Sequence, residues 1–272
     1  MLDFIEIYII FIYNIFHSLK LIIQTRWGME KYNKEIMEQN RHMFIYDDGI
    51  ERQKYLTQLE SAYPIKTEQY SPMAIYMDEL RLPNVNNEEI DKTKIAILTR
   101  EYLIYSIAYK ILKKIYEQID INSLNDRINN LSFWLEKNNS DIDKINELKQ
   151  LLQNLEKSVN FYIESYFEVL KTGKFSLDFD KLPISYMNIE KFTKDIKSFL
   201  NNKSYFGIII NQQGQISLEL QKAINWLITK RINSNISIKV FCQESNWETY
   251  YDLDGTLAEN IHDYESVKIF TK

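Results

Sequence analysis

The chain has 272 residues, of which 45% are hydrophobic, so it can bury a full core in one large domain or two small ones. Six glycines and four prolines are too few for an all-β protein full of tight turns, and they favour long helices. The formal net charge of −5 argues against broad electrostatic binding of nucleic acid. The single cysteine, Cys242, excludes an intramolecular disulfide and is expected to be a buried, unreactive thiol.

The first segment, residues 4–23, is apolar on nearly every face, which is typical of either a membrane helix or a completely buried one. Its uncharged run between Glu6 and Lys20 has 13 residues, short of the roughly 20 that span a bilayer, although snorkelling of these two charges would extend it. Basic residues follow the segment, so an inserted helix would leave the rest of the chain in the cytoplasm. Residues 1–28 are therefore a membrane anchor or a packed leader, and Met29 is an alternative start.

The next region predicts two strands and a helix-rich block. Residues 43–46 predict a strand, residues 51–61 a helix and residues 73–77 a second strand. Residues 88–119 predict a long helix that is apolar nearly all round between residues 102 and 111 and is therefore expected to be buried. Residues 124–135 predict a shorter helix.

A heptad seam follows, in which apolar residues recur at alternating spacings of three and four from Ile145 to Val169. This pattern predicts a long helix packed lengthwise on a partner, with Ser140 near its start and Gly173 as its C-cap. The partner is either an earlier helix of this chain or a second protein, including another copy of the chain. Residues 88–173 are therefore predicted to form a large helical insertion.

The stretch from residue 204 to residue 242 predicts a strand, a helix and a second strand, and Asn188 is expected to cap the helix before it. The first of these strands ends in the polar pair Asn211 and Gln212. A nucleotide hydrolase would carry acidic residues there to hold Mg²⁺. The elements together predict an α/β fold over residues 29–272, with a parallel, P-loop-like sheet flanked by helices.

The turn after the first predicted strand, residues 48–55, occupies the place of a phosphate-binding loop. Lys54 has the phosphate-reaching position and Tyr55 stands for the Mg²⁺-binding hydroxyl, whereas Asp48 and Gln53 replace the two glycines. Asp47 and Asp48 would repel phosphate from the backbone amides of the turn. The candidate ligand-binding residues are Gly49, Lys54, Tyr55, Asn211 and Gln212.

A second motif, Asp252-Leu-Asp-Gly-Thr-Leu-Ala258, matches the nucleophile motif of haloacid-dehalogenase-type phosphatases. There the first Asp attacks phosphorus and the second is the acid and base. Only 18 residues follow Asp254, and the residues before the motif are not the continuous apolar strand that a buried parallel sheet needs. A hairpin turn at Asp254 and Gly255 explains the same letters.

The order of these elements resembles bacterial AAA-type ATPases of the origin-recognition-complex-like group. Residues 218–232 are similar to the Gln-rich helix after the Walker B strand, and His262-Asp263-Tyr264 is similar to the His-Asp-Tyr before a later strand. The resemblance covers residues 43–272, departs from the family at both nucleotide-binding signatures and includes no C-terminal lid.

The resemblance implies a degenerate domain that acts as a regulatory or interaction protein and not as an enzyme. ATP is the expected ligand, bound without efficient hydrolysis, and Mg²⁺ is not expected as a cofactor. A membrane-tethered helical scaffold is the alternative, and a phosphatase fragment or an active ATPase is a further one. The spacing of the three histidines and Cys242 predicts no metal site.

Overall fold

The computed structural model describes residues 33–47, 52–77, 80, 82–85, 90–135, 144–174, 182, 184, 187–212, 216–230, 235–260 and 262–269. The chain divides into two compact units, residues 1–39 and 40–272. In the first unit, residues 33–37 are helical. The apolar segment 4–23 lies outside the described residues, and no helix within the described ranges is long and apolar enough to cross a membrane.

The second unit is built on one sheet of five parallel strands. In chain order these are β1 (Met43–Tyr46), β2 (Met73–Met77), β3 (Phe206–Asn211), β4 (Ile236–Cys242) and β5 (Glu265–Lys268). Across the sheet the order is β2-β3-β4-β1-β5. Nearly every residue of the first four strands is buried, as expected where helices cover both faces. The predicted α/β fold with a helix-flanked parallel sheet is confirmed.

The helices are α1 (Arg52–Ala62), α2 (Lys92–Gln118), α3 (Lys144–Thr172), α4 (Ile189–Leu200) and α5 (Leu218–Thr229). The connection after β1 runs past β4 and β3 to the edge strand β2, whereas the later connections run the opposite way. Right-handed crossovers therefore place α1 on one face of the sheet and the helices that follow β2 and β3 on the other.

The two long helices, α2 and α3, form an antiparallel pair. The Tyr105 and Tyr162 rings contact each other at an angle of 39°, with their centroids 5.1 Å apart. The Tyr109 hydroxyl donates to Glu156 Oε1 at 3.2 Å, so residue numbers rise along one helix as they fall along the other. The heptad seam of α3 is covered by α2 of the same chain. Its buried members are Leu148, Leu155, Tyr162, Tyr166 and Val169.

Two predicted helix caps are present, Asn188 at the start of α4 and Gly173 at the end of α3. Asn188 Oδ1 accepts from the Lys191 amide at 2.9 Å at the start of α4. Gly173 has a φ of 67° and donates its amide to Val169 O at 2.9 Å, which closes α3. Ser140 lies outside the described residues.

The shorter helix predicted at residues 124–135 is a 3-10 helix that spans Ile121–Leu131. Asp120 starts it by accepting from the Asn122 amide at 3.1 Å. The segment is rich in Asn and Asp, whose side chains compete for backbone hydrogen bonds and lower the preference for α-helix.

Candidate functional site

The candidate site lies at the carboxyl edge of the sheet, where parallel α/β sheets usually bind ligands. Asp47 directly follows β1, and Tyr76 lies near the end of β2. Asn211 is the last residue of β3, and Gln212 follows it. Arg52 begins α1, the helix that follows β1. The parallel strand directions bring these five side chains to one crevice.

A buried ion pair between Arg52 and Asp47 lies at this edge, with only 2% and 11% of the two side chains exposed. Arg52 Nε lies 2.8 Å from both Asp47 carboxylate oxygens, and Nη2 donates to Asp47 Oδ1. Arg52 Nη1 donates to Gln212 O at 3.1 Å and reaches Asn211 Oδ1 at 3.4 Å. A guanidinium has five N–H groups, so these contacts use nearly all its donors within the protein.

The amide of Asn211 extends the network to β2 and α1. Its Nδ2 lies 3.2 Å from the Tyr76 hydroxyl and 3.3 Å from Gln53 Oε1, and the Tyr76 hydroxyl donates to Gln53 Oε1 at 2.7 Å. Gln212 Nε2 donates to Asn246 O, beyond the end of β4. The side chains of Asn211 and Gln212 therefore have a structural role, because they connect the ends of strands to neighbouring loops.

Of the three other predicted ligand-binding residues, Lys54 and Tyr55 are described by the structure, and they differ in their surroundings. Lys54 is an exposed residue of the first turn of α1. Tyr55 is half-buried, its ring centroid lies 5.8 Å from that of Phe241, and burial raises the pKa of its phenol. No described residue hydrogen-bonds its buried hydroxyl oxygen. Gly49 lies outside the described residues.

Sequence reasoning missed Arg52 as a residue of the crevice and treated Asp47 only as a group that repels phosphate. The available signal was an arginine five residues after an acid, across the turn from a strand to a helix. Spacing alone does not show that the two side chains meet.

Comparison of the sequence with protein-family models and with curated proteins finds no match. In the described ranges, no three His, Cys, Asp or Glu side chains are grouped so that they could hold a metal ion. Cys242 is buried as predicted, and desolvation raises its pKa to about 12, so the thiol is protonated and a poor nucleophile at neutral pH.

The phosphatase-like motif forms a turn, as the hairpin interpretation predicted. Asp252 is 2% exposed, and its Oδ1 accepts from the amides of Asp254 at 2.9 Å and Thr256 at 2.8 Å. Its Oδ2 accepts from Thr229 Oγ1 at 2.7 Å. Gly255 has a φ of 79°, and the residues on either side of the turn form an antiparallel bridge. Oδ1 of Asp252 therefore acts inside the turn, and Oδ2 joins the turn to the end of α5.

We expect Asp252→Ala to lower the free energy of unfolding by about 2–3 kcal/mol, because two amides and a hydroxyl lose their acceptor. Urea denaturation measures this loss. Asp254→Ala is the matched control, since it removes an exposed ion pair to Lys230 and a side-chain hydrogen bond with Trp226, and it should cost less than Asp252→Ala. Hydrolysis of p-nitrophenyl phosphate should stay at background in all three proteins. A wild-type phosphatase activity that Asp252→Ala abolishes would contradict a purely structural role.

Proposed function

We propose that the chain is a non-hydrolysing, P-loop-like α/β domain that acts as an interaction or regulatory protein in the cytoplasm. The observation that carries the proposal is the buried Arg52–Asp47 ion pair in the crevice at the carboxyl edge. This crevice is where a ligand of such a sheet would bind, and the protein's own charges lie there.

Phosphate at the start of α1 would meet a guanidinium that is already paired and the carboxylate that pairs with it. Breaking a buried ion pair leaves an uncompensated charge and is costly, so Arg52 is a poor phosphate ligand as it stands. Asp47 adds repulsion to any anion beside it.

The end of β3 also lacks the chemistry of hydrolysis. Nucleotide hydrolases use carboxylates to hold Mg²⁺ and a positioned side chain to orient the attacking water. Asn211 and Gln212 can hydrogen-bond, but they add no negative charge beside a cation, and the nitrogens of their amides already donate within the protein. These two positions support a binding role over catalysis.

The order of the elements supports a P-loop-like domain. A first strand leads into a helix, and an edge strand and a helical block follow. Two further strands with a helix between them lie between β2 and β1, and β5 pairs with the other side of β1. That this domain binds ATP stays a prediction, as does a protein partner for the helical block.

Turnover of Mg-ATP tests the proposal. We expect phosphate release to equal that of a protein-free blank for the wild type and for Lys54→Ala. Turnover by the wild type that Lys54→Ala abolishes would refute the non-hydrolysing role.

Calorimetric titration tests the ATP part separately. ATP binding at the start of α1 predicts heat in the wild type that Lys54→Ala removes and that Lys149→Ala, at an exposed position of α3, retains. Absence of heat in all three proteins would remove ATP from the proposal and leave a domain that works through protein contacts.

A further inference from the structure

A concavity of about 350 Å³ lies at the amino edge of the sheet, opposite the crevice that holds Arg52. Its wall is the end of α4, the turn that leads to β3 and the residue before β4. The residues that matter for its chemistry are Lys194, Lys197, Asn201, Asn202, Lys203 and Asn235.

The concavity is positively charged although the chain as a whole carries a formal charge of −5. Three lysines line it, no carboxylate does, and none of the three pairs with a carboxylate of the described ranges. Asp195 of the same helix is engaged elsewhere, because it accepts from Lys191 Nζ at 2.9 Å and from Trp134 Nε1 at 2.8 Å. Lys203 Nζ lies 5.4 Å from the centroid of the Tyr70 ring, which is a neutral partner. Among the described residues, the three lysine charges are therefore not neutralised by a carboxylate.

Three hydrogen bonds hold residues that line the concavity. Lys197 Nζ donates to Asn235 Oδ1 at 2.7 Å, and desolvation lowers the pKa of this lysine. Asn202 is buried, donates to Lys66 O at 3.2 Å and accepts from the Ser204 amide at 2.8 Å. A partly desolvated ammonium whose only hydrogen-bonded partner here is a neutral amide gains from an arriving anion.

Capping of α4 does not require these lysines. Lysines near a helix C-terminus often serve the last carbonyls and the helix dipole. Here the Asn201 amide donates to Ser198 O at 3.1 Å, and the Asn202 amide donates to Lys197 O at 3.0 Å. Asn201 adopts the left-handed conformation that such a cap needs, with a φ of 50°.

We propose that this concavity binds the phosphate groups of a small phosphorylated molecule through Lys194, Lys197 and Lys203. Phosphate oxygens accept strong hydrogen bonds from ammonium groups, and the volume suits a compact ligand with two or three phosphates. The site lies at the amino edge of the sheet, whereas Arg52 lies at the carboxyl edge. The proposal therefore does not depend on the proposed lack of hydrolysis. Binding there would give an interaction domain a sensor for a phosphorylated metabolite.

Isothermal titration with pyrophosphate at low salt tests the site. We expect saturable binding to the wild type that Lys194→Gln/Lys197→Gln weakens by about tenfold or more. Lys149→Gln/Lys157→Gln removes the same charge from exposed positions of α3 and should bind like the wild type. No saturable heat up to about 10 mM, or equal weakening in both double variants, would overturn the proposal. Titration with ADP as a second arm separates an organic phosphate from an inorganic one.

Lysine acetylation of the wild-type protein, read by mass spectrometry, gives a test that needs no variant. Pyrophosphate should slow the labelling of Lys194 and Lys197 and leave Lys149 unchanged. Equal labelling of Lys194 and Lys197 with and without pyrophosphate would count against the site, even where the double variant does not fold. The same variants separate the two edges of the sheet: ATP binding lost in Lys54→Ala belongs to the start of α1, and ATP binding lost in Lys194→Gln/Lys197→Gln belongs to the concavity.

Discussion

Replacing Arg52 by Met should lower the free energy of unfolding by about 3–5 kcal/mol, because the Asp47 carboxylate is left buried without its cation. Methionine keeps much of the aliphatic stem and removes the guanidinium, so the loss reports charge and hydrogen bonds more than packing. The carbonyl of Gln212 also loses a donor at 3.1 Å. Urea denaturation at pH 7, followed by tryptophan fluorescence, measures the change.

Two further variants show whether the ion pair itself is responsible. Arg100→Met is the matched control, since Arg100 is 37% exposed and pairs with Glu101 at 2.8 Å. It should cost less than about 1 kcal/mol, apart from any lost contact over the Trp226 ring. Arg52→Met/Asp47→Leu removes both buried charges and should recover most of the loss. Additive losses in the double variant would show that Arg52 stabilises the crevice in another way.

The strands could be predicted closely because their signal is local. Short β-type runs at 43–46 and 73–77 are bounded by turn residues, and the observed strands have the same limits. The long helix predicted at residues 88–119 spans Lys92–Gln118, because Asp91 takes the N-cap and accepts from the Thr93 amide at 2.9 Å. Boundaries therefore depend on caps that the periodicity of apolar residues does not specify.

The sites were harder to predict, because their parts come from distant elements. The placement of Asn211 and Gln212 at the end of an inner strand followed from a single apolar run. The Arg52–Asp47 pair depends on the path of the turn between β1 and α1. The lysine concavity depends on the pairing of β3 with β4, which brings Asn235 beside Lys197 across 38 positions of sequence. No short spacing encodes such a meeting.

Leu155→Asp should lower the free energy of unfolding by more than about 4 kcal/mol, because it removes a buried side chain and places a charge in an apolar contact. Leu155 is fully buried near the middle of α3, on the seam that α2 covers. Far-ultraviolet circular dichroism during thermal unfolding measures the effect. Lys157→Asp, two residues away at an exposed position, is the control and should unfold nearly as the wild type does.

The same pair of variants shows whether the insertion joins two chains. The seam is already covered within one chain, so a second copy could reach Leu155 only if α2 moved away. We therefore expect that any self-association of the folded wild type, measured by its sedimentation coefficient, does not use this seam. Leu155→Asp should destabilise the single chain. A different result would be a wild-type dimer that Leu155→Asp dissociates into folded, equally helical monomers. That result would place a partner on the seam and favour the scaffold function, because only an intermolecular contact can be lost without destabilising the single chain.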